Sequence, residues 1–457
     1  MEDSKVKANT RNLSEGVPTK QILSFFFPLM LGMLFQQVYA VVDTMIIGQF
    51  VGVNAVAGVG STGAIYTLII GSCIGMAYGL VIPIAQHFGM RDYPGMKQYV
   101  INAILLTIVL SIIITIIICV LCQSFLIWSN TPSVLMKDAF SYIFVIFLGT
   151  PVIFMYNVLL GIIRSMGDSR TPVIYMILGS VFNIILGLLF VVLFKWGVIG
   201  SALATIIAQG SASLLCVNYL RHCDILIISK DEWRFDKSRV KVLLGMAIPV
   251  GLQYAITSIG SVVLQIALNG LGATAVASVA IAAKINQFCA SPFDALGTTM
   301  ATYGGQNLGA GKLDRVHRGF ISCSLIGIGY ALFAVVALYF FGEKLASLFV
   351  QPGEEQVVQM AFQWLMYNSI CYIPLSFVNI IRFLIQGLGY SKQSMFAGVA
   401  EMIARTVIAL VVVGKIGYTA ICISNGVAWL LADCFLFTAY FVDLNQLKKK
   451  FSLVNSK

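Results

Sequence analysis

The chain has 457 residues, 59% of them hydrophobic and only 11% charged. Soluble globular chains carry charge on roughly a quarter of their residues, so this composition excludes a water-soluble protein. Twenty-nine basic against nineteen acidic residues give a net charge of +10. In a soluble chain that excess would raise the question of nucleic acid; here the long apolar stretches leave no polar surface on which cations could line a phosphate groove, and no nucleic-acid partner is expected.

In chain order, the first twenty residues are polar, and the apolar segment that follows is too long for the core of a cleavable signal and has no small-residue cleavage site after it. No such signal is therefore expected. Apolar or small-residue stretches then fall near 22–50, 54–85, 98–123, 134–160, 172–194, 198–220, 240–270, 274–305, 319–342, 357–386, 395–414 and 418–442. A helix rising ~1.5 Å per residue crosses a ~30 Å hydrocarbon core in about 20 residues, so each can span a bilayer. Runs such as Ile112 to Val120 are apolar on every face and lack the alternation of barrel strands. The expected fold class is all-α integral membrane, with twelve transmembrane helices.

The basic residues sort by loop. Twenty-two fall on the side holding both termini, four (Lys137, Lys195, Lys344 and Lys415) on the other, and three (Lys284, Arg382 and Arg405) within spans. The positive-inside rule then predicts cytoplasmic termini, and with them a multi-pass protein of the cell membrane. The ten cysteines lie almost wholly within spans, and Cys119-x-x-Cys122 has no second pair or histidine nearby. These thiols read as small packing groups, and no metal cofactor is expected.

Self-comparison reveals a duplication. Pro28 and Pro249 each open a helix; Gln86-His87-Phe88-Gly89 matches Gln306-Asn307-Leu308-Gly309; Gly167 matches Gly389; Lys195-Trp196-Gly197 matches Lys415-Ile416-Gly417. All four matches share an offset of 220 to 222 residues. Six spans separate the copies, which predicts two pseudo-symmetric six-helix lobes, 1–220 and 240–457, entering the membrane from the same side. Between them, 221–239 is the most charged stretch and carries Trp233 and Phe235, as expected of a cytoplasmic linker lying along the bilayer surface. Gly71, Gly75 and Gly79 form a small-residue stripe that suits close helix packing, and Pro28, Pro151, Pro249, Pro292 and Pro374 remove backbone hydrogen bonds within spans and permit bending.

Ionisable groups at membrane depth cost at least ~2.5–3.5 kcal/mol, so each needs a reason to be there. The intramembrane charges are Asp43, Lys284, Asp294, Arg382, Glu401, Arg405 and Asp433. Glu401 and Arg405 are four apart on one helix face and can neutralise each other. Lys284 and Asp294 are expected to pair across helices, with Asp433 or with each other's neighbours. Asp43 has no basic residue elsewhere in the spans of the first half. Gln36, Tyr39 and Asp43 follow i, i+3, i+7 and share a stripe, placing an amide and a phenol below the carboxylate. An unpaired carboxylate there is either protonated or bound to a cation, as a coupling site requires; the plainer alternative is a carboxylate hydrogen-bonded for packing.

Gln36-Gln37-Val38-Tyr39-Ala40-Val41-Val42-Asp43-Thr44 after Pro28, Gly52-Val53-Asn54-Ala55-Val56-Ala57 with its echo Gly272-Ala273-Thr274-Ala275-Val276-Ala277, and the paired Gln86 and Gln306 motifs together resemble the multidrug and toxic compound extrusion (MATE) transporters, over nearly the whole chain. The resemblance implies two lobes around a central cleft, alternating access, and export of organic, often cationic compounds by a single chain in antiport with H⁺ or Na⁺, with no other cofactor. It places the amino-terminal-lobe cation site on Asp43, Tyr39, Asn183 and Thr205, with Asn157 as a further wall and Na⁺ as one ion Asp43 could take. Two departures stand out: the aspartate often found four residues after the fifth-helix asparagine is Gly187 here, and the acidic seventh-helix residue of another branch aligns with Thr257. A flippase of lipid-linked precursors is the alternative, although only Lys284, Arg382 and Arg405 could hold a pyrophosphate. The absence of His-Glu-x-x-His and Gly-x-Ser-x-Gly patterns argues against an intramembrane enzyme.

Overall fold

A computed structural model describes residues 10–129, 131–350 and 353–455. Lys5, Lys7 and Lys457, used above in the charge sorting, lie outside the described residues. Among the described residues all regular structure is helical. The helices of the first half are α1 (Pro18–Phe50), α2 (Val53–Ser61), α3 (Gly63–Gly89), α4 (Tyr93–Trp128), α5 (Met136–Leu148), α6 (Thr150–Ser165), α7 (Arg170–Gly187) and α8 (Gly197–Arg221). Those of the second half are α9 (Lys237–Asn269), α10 (Ala273–Gly309), α11 (Leu313–Ser347), α12 (Glu355–Ile370), α13 (Tyr372–Gly387), α14 (Ser391–Val407), α15 (Val413–Ile416) and α16 (Tyr418–Asn455).

Ten helices are singly long and apolar enough to cross a membrane, and two bent pairs, α5 with α6 and α12 with α13, bring the number to twelve if each pair is one span. The pairs bend by 51° and 53°. Each break lies just ahead of a proline, Pro151 or Pro374, which cannot donate to the preceding turn. The expectation of bending at proline is therefore met by breaks at these two sites. Pro28, Pro249 and Pro292 instead sit inside uninterrupted helices.

The duplication is written in the backbone. Positive-φ residues recur at Gly52 and Gly272, Arg91 and Gly311, Gly167 and Gly389, and Gly197 and Gly417. Single π-helical turns occupy Leu188–Leu193 and Ile408–Val412, again in register. One difference has a local cause. Thr62 separates α2 from α3 and donates its hydroxyl to the carbonyl of Val59 (2.7 Å), offering the chain a turn in place of helix. The corresponding residue is Ala282, and α10 runs straight through it.

Two compact units result. Of the described residues, the first unit takes those up to Asn12 and Phe27–Gly251, and the second takes Leu13–Phe26 and everything from Leu252 onward. Segment 221–239 thus groups with the first unit, as do residues 240–251. In the first unit, Leu80, Ile84, Val100, Phe154, Ile162 and Ile163 form an apolar core together with Cys223 and Leu226 of the linker. Gly79 of the small-residue stripe faces the α9 backbone: a Cβ there would lie 2.5 Å from Ala247 Cα, so the stripe is used for close packing at this position.

Candidate cation and substrate site

In the first unit three helices align polar side chains in rungs. Ser201, in the second turn of α8 and fully buried, donates to both carboxylate oxygens of Asp43 near the end of α1, at 2.8 and 2.9 Å. One turn further along both helices, Tyr39 and Thr205 face the same space, and Asn183 of α7 donates to Thr205 Oγ1 (3.1 Å). A third rung brings Gln36 and Tyr156 together with Gln209. From Asp43 to Gln36 the ladder spans about 10 Å of helix rise.

The lower two rungs line a cavity of about 20 Å³, whose walls also include Met176, Gly179 and Ser180. That is room for about one water molecule or a small cation, and far too little for an organic substrate. Two acceptors at this cavity, Asn183 Oδ1 and Gln209 Oε1, are buried and find no donor among the described residues. Oxygen acceptors converging on a water-sized space suit a proton carried on water or a hard cation. Tyr39 and Tyr142 lie within electrostatic reach of Asp43, and among the described residues no basic side chain does.

The structure thus brings together Asp43, Tyr39, Gln36, Asn183 and Thr205. Asn157 stands apart: its amide donates to Ile153 O of its own helix (2.8 Å), and its neighbour Tyr156 lines the cavity instead. The sequence reading missed Ser201, Gln209 and Tyr156. Ser201, Thr205 and Gln209 follow i, i+4, i+8, so the polar stripe on the sixth span was a usable signal.

In the second unit the intramembrane charges regroup. Glu401 binds Arg405 as its spacing predicted, Nη1 to Oε2 at 3.2 Å, and it also binds Arg382 of α13. Arg405 continues through Asn425 Oδ1 (3.4 Å) to Asn368 (3.0 Å) and the carbonyl of Cys422 (3.1 Å). Asp433 is buried in the field of Arg382 and Glu401, and Asp294 also feels Arg382. The expected pairing of Lys284 is corrected: its side chain is exposed on α10, and among the described residues it joins no ion pair. Ten residues from Asp294, it sits about 15 Å away along the same helix, beyond reach of that carboxylate.

The MatE family model matches residues 28–189 and 249–411, so its two copies begin at the duplicated prolines Pro28 and Pro249. This chain belongs to the MatE family. Its members are transporters, not enzymes. Among relatives, the probable multidrug resistance protein YpnP of Bacillus subtilis is 25% identical over 94% of this chain and 96% of its own length. A protein of Shewanella oneidensis named FAD transporter is 24% identical over 79% of this chain and 80% of its own. Among solved structures, the outward-facing conformation of a multidrug resistance MATE family transporter superimposes with a TM-score of 0.90 at 22% identity, covering 97% of this chain and 99% of that one. The likeness confirms the fold. At the two departures noted in the sequence, a Cβ on Gly187 would meet Ile46, at 3.7 Å, and the Thr257 hydroxyl is buried without a hydrogen-bond partner among the described residues.

Proposed function

We propose that this MatE transporter exports small organic, often cationic, compounds from the cell by alternating access, in antiport with H⁺ or Na⁺, and that Asp43 is the carboxylate through which the ion is coupled. The observation that carries the reading is the ladder itself: a carboxylate met by a hydroxyl rather than a cation, leading into a cavity of single-ion size. The names of relatives such as YpnP support the multidrug part. Asp43 would be ion-free while substrate occupies the first unit; an ion arriving from outside would neutralise it and displace the substrate outward. Occupancy shifts the transporter only by the ligand's differential affinity for its two states.

The excess of basic residues on the terminal side supports a cell-membrane protein with cytoplasmic termini, and a single chain is proposed as the working unit. The flippase reading is weakened by the second unit, where Glu401 already engages two of the three intramembrane cations. The deciding experiment is transport in vesicles with an imposed H⁺ or Na⁺ gradient. Asp43→Asn should abolish gradient-driven export, and wild-type rates in that variant would refute the assignment.

A further inference from the structure

Among the described residues the linker between the two halves leaves apolar side chains exposed, and its main chain is held by hydrogen bonds. Cys223 and Leu226 are buried in the core of the first unit, whereas Ile227, Trp233 and Phe235 are 56%, 46% and 56% exposed. Three side chains of α4 hold the backbone between them. Lys97 Nζ donates to Ile227 O (2.7 Å), and Gln98 donates to Glu232 O (3.3 Å). The fully buried Asn102 donates to Arg234 O (3.3 Å) and accepts from the amide of Asp236 (2.9 Å), tying the chain on both sides of Phe235. A segment held this firmly does not expose two aromatic rings through looseness.

Helix α4 also sets the depth. Its exposed aliphatic face begins at Ile108 and Val109 and continues through Ile112, Ile113, Ile116 and Ile117. Asn102 lies six residues before that face, about 9 Å along the axis, so the linker is held at the level of the headgroups and the acyl boundary, where tryptophan and other amphipathic rings concentrate. The charge is suited to the same layer. Glu232 is occupied with Ser229 and Asp236 with Arg239, while among the described residues Arg234, Lys237 and Lys241 are exposed and have no acidic partner.

We propose that residues 227–241 form an interfacial anchor for anionic phospholipid, with Ile227, Trp233 and Phe235 entering the acyl boundary and Arg234, Lys237 and Lys241 taking lipid phosphates. This reading is independent of the substrate and of the coupling ion. It makes the linker a lipid-binding surface of the transporter as well as a connection between its halves.

The test uses the full-length protein in nanodiscs, with Trp128, Trp196, Trp364 and Trp429 changed to Phe so that Trp233 alone fluoresces. Lipids brominated high on the acyl chain should quench Trp233, and aqueous iodide should do so weakly. Should the fourfold variant fail to fold, the same quenching is read as the component lost on Trp233→Phe in otherwise native protein. Brominated phosphatidylglycerol titrated into phosphatidylcholine discs should reach half-quenching at low mole fraction, and each of Arg234→Ala, Lys237→Ala and Lys241→Ala should raise that fraction roughly fivefold. Quenching by iodide alone would place the linker in water, and protection from both quenchers would mean that protein covers it; either overturns the anchor. Equal titrations with phosphatidylcholine and phosphatidylglycerol, unchanged by the alanines, would overturn the preference for anionic lipid.

Discussion

The Ser201 hydroxyl is shared between the two oxygens of the Asp43 carboxylate, at 2.8 and 2.9 Å, across 158 residues of sequence. A hydroxyl can donate only one proton, so the contact stabilises the charged carboxylate without neutralising it and leaves its outer lone pairs open to an ion. A hydrogen bond to a charged group is worth about 1.5–3 kcal/mol. Ser201→Ala should therefore change the ion concentration needed for half-maximal export by roughly tenfold or more, while Ser201→Thr keeps the donor and should restore most of it. Transport titrated against pH and against Na⁺ reads the effect, and equal curves for alanine and wild type would remove Ser201 from the site.

Glu401 sits between two guanidinium groups in the interior of the second unit. Removing the shared anion takes the direct ion-pair partner from both buried guanidinium groups, which costs about 3–5 kcal/mol. Glu401→Gln should lower the thermal unfolding midpoint in detergent markedly. Glu401→Gln combined with Arg405→Gln should lower it by less than the sum of the single changes, because the second removes a charge the first has orphaned. Additive losses would show that the three groups do not act as a unit.

How far this was legible in sequence depends on whether the partners shared a helix. Glu401 and Arg405 are one turn apart, and spacing alone paired them; Arg382 comes from α13, and no periodicity could bring it to Glu401. Asp43, Tyr39 and Gln36 lie on one stripe of α1 and were found together, whereas Ser201 entered only once α8 was seen to run beside α1. Composition and run length sufficed for twelve spans because a bilayer leaves helices few alternatives. Proline was ambiguous: Pro151 and Pro374 follow breaks while Pro28, Pro249 and Pro292 do not, since neighbouring helices decide whether a lost hydrogen bond opens a bend.

Gly167 has φ +80°, and a Cβ on it would lie 1.8 Å from Arg11 O. Gly272 also has a positive φ, +98°, but with an extended ψ of 169°, and nothing lies within 4 Å of a Cβ there. Gly272→Ala should cost only that backbone penalty, about 1–3 kcal/mol. Gly167→Ala must also displace the chain at Arg11, so it should unfold at lower temperature than Gly272→Ala and be cut faster by trypsin after Arg11. Similar cleavage of the two variants would show that the contact does not hold the segment.

Asp92 caps α4 by accepting from the Gly95 amide (3.0 Å) and contacts His87 Nδ1 (2.8 Å). The amide first, and then His87, hold its carboxyl below the usual aspartate value. A depressed folded value means that the stabilisation is complete above the unfolded value of about 4 and is lost as pH falls through the lower folded one. Asp92→Ala should thus unfold at lower temperature than wild type at neutral pH, and the gap should close only in acid below about pH 4. A gap that closed between pH 5 and 7 would assign the titration to another group.

Gln209 Oε1 and Asn183 Oδ1 face the same water-sized cavity without a donor among the described residues. A buried acceptor left unpaired costs about 1–3 kcal/mol, and replacement by an apolar group of the same shape can be neutral or stabilising. Gln209→Leu should accordingly leave the unfolding midpoint unchanged or higher. If the cavity holds the coupling ion, the same change removes an oxygen from its walls, and gradient-driven export should fall although the protein is no less stable. The two readouts separate the roles: a packing glutamine would lose stability and keep transport, and a glutamine that serves the ion would do the reverse.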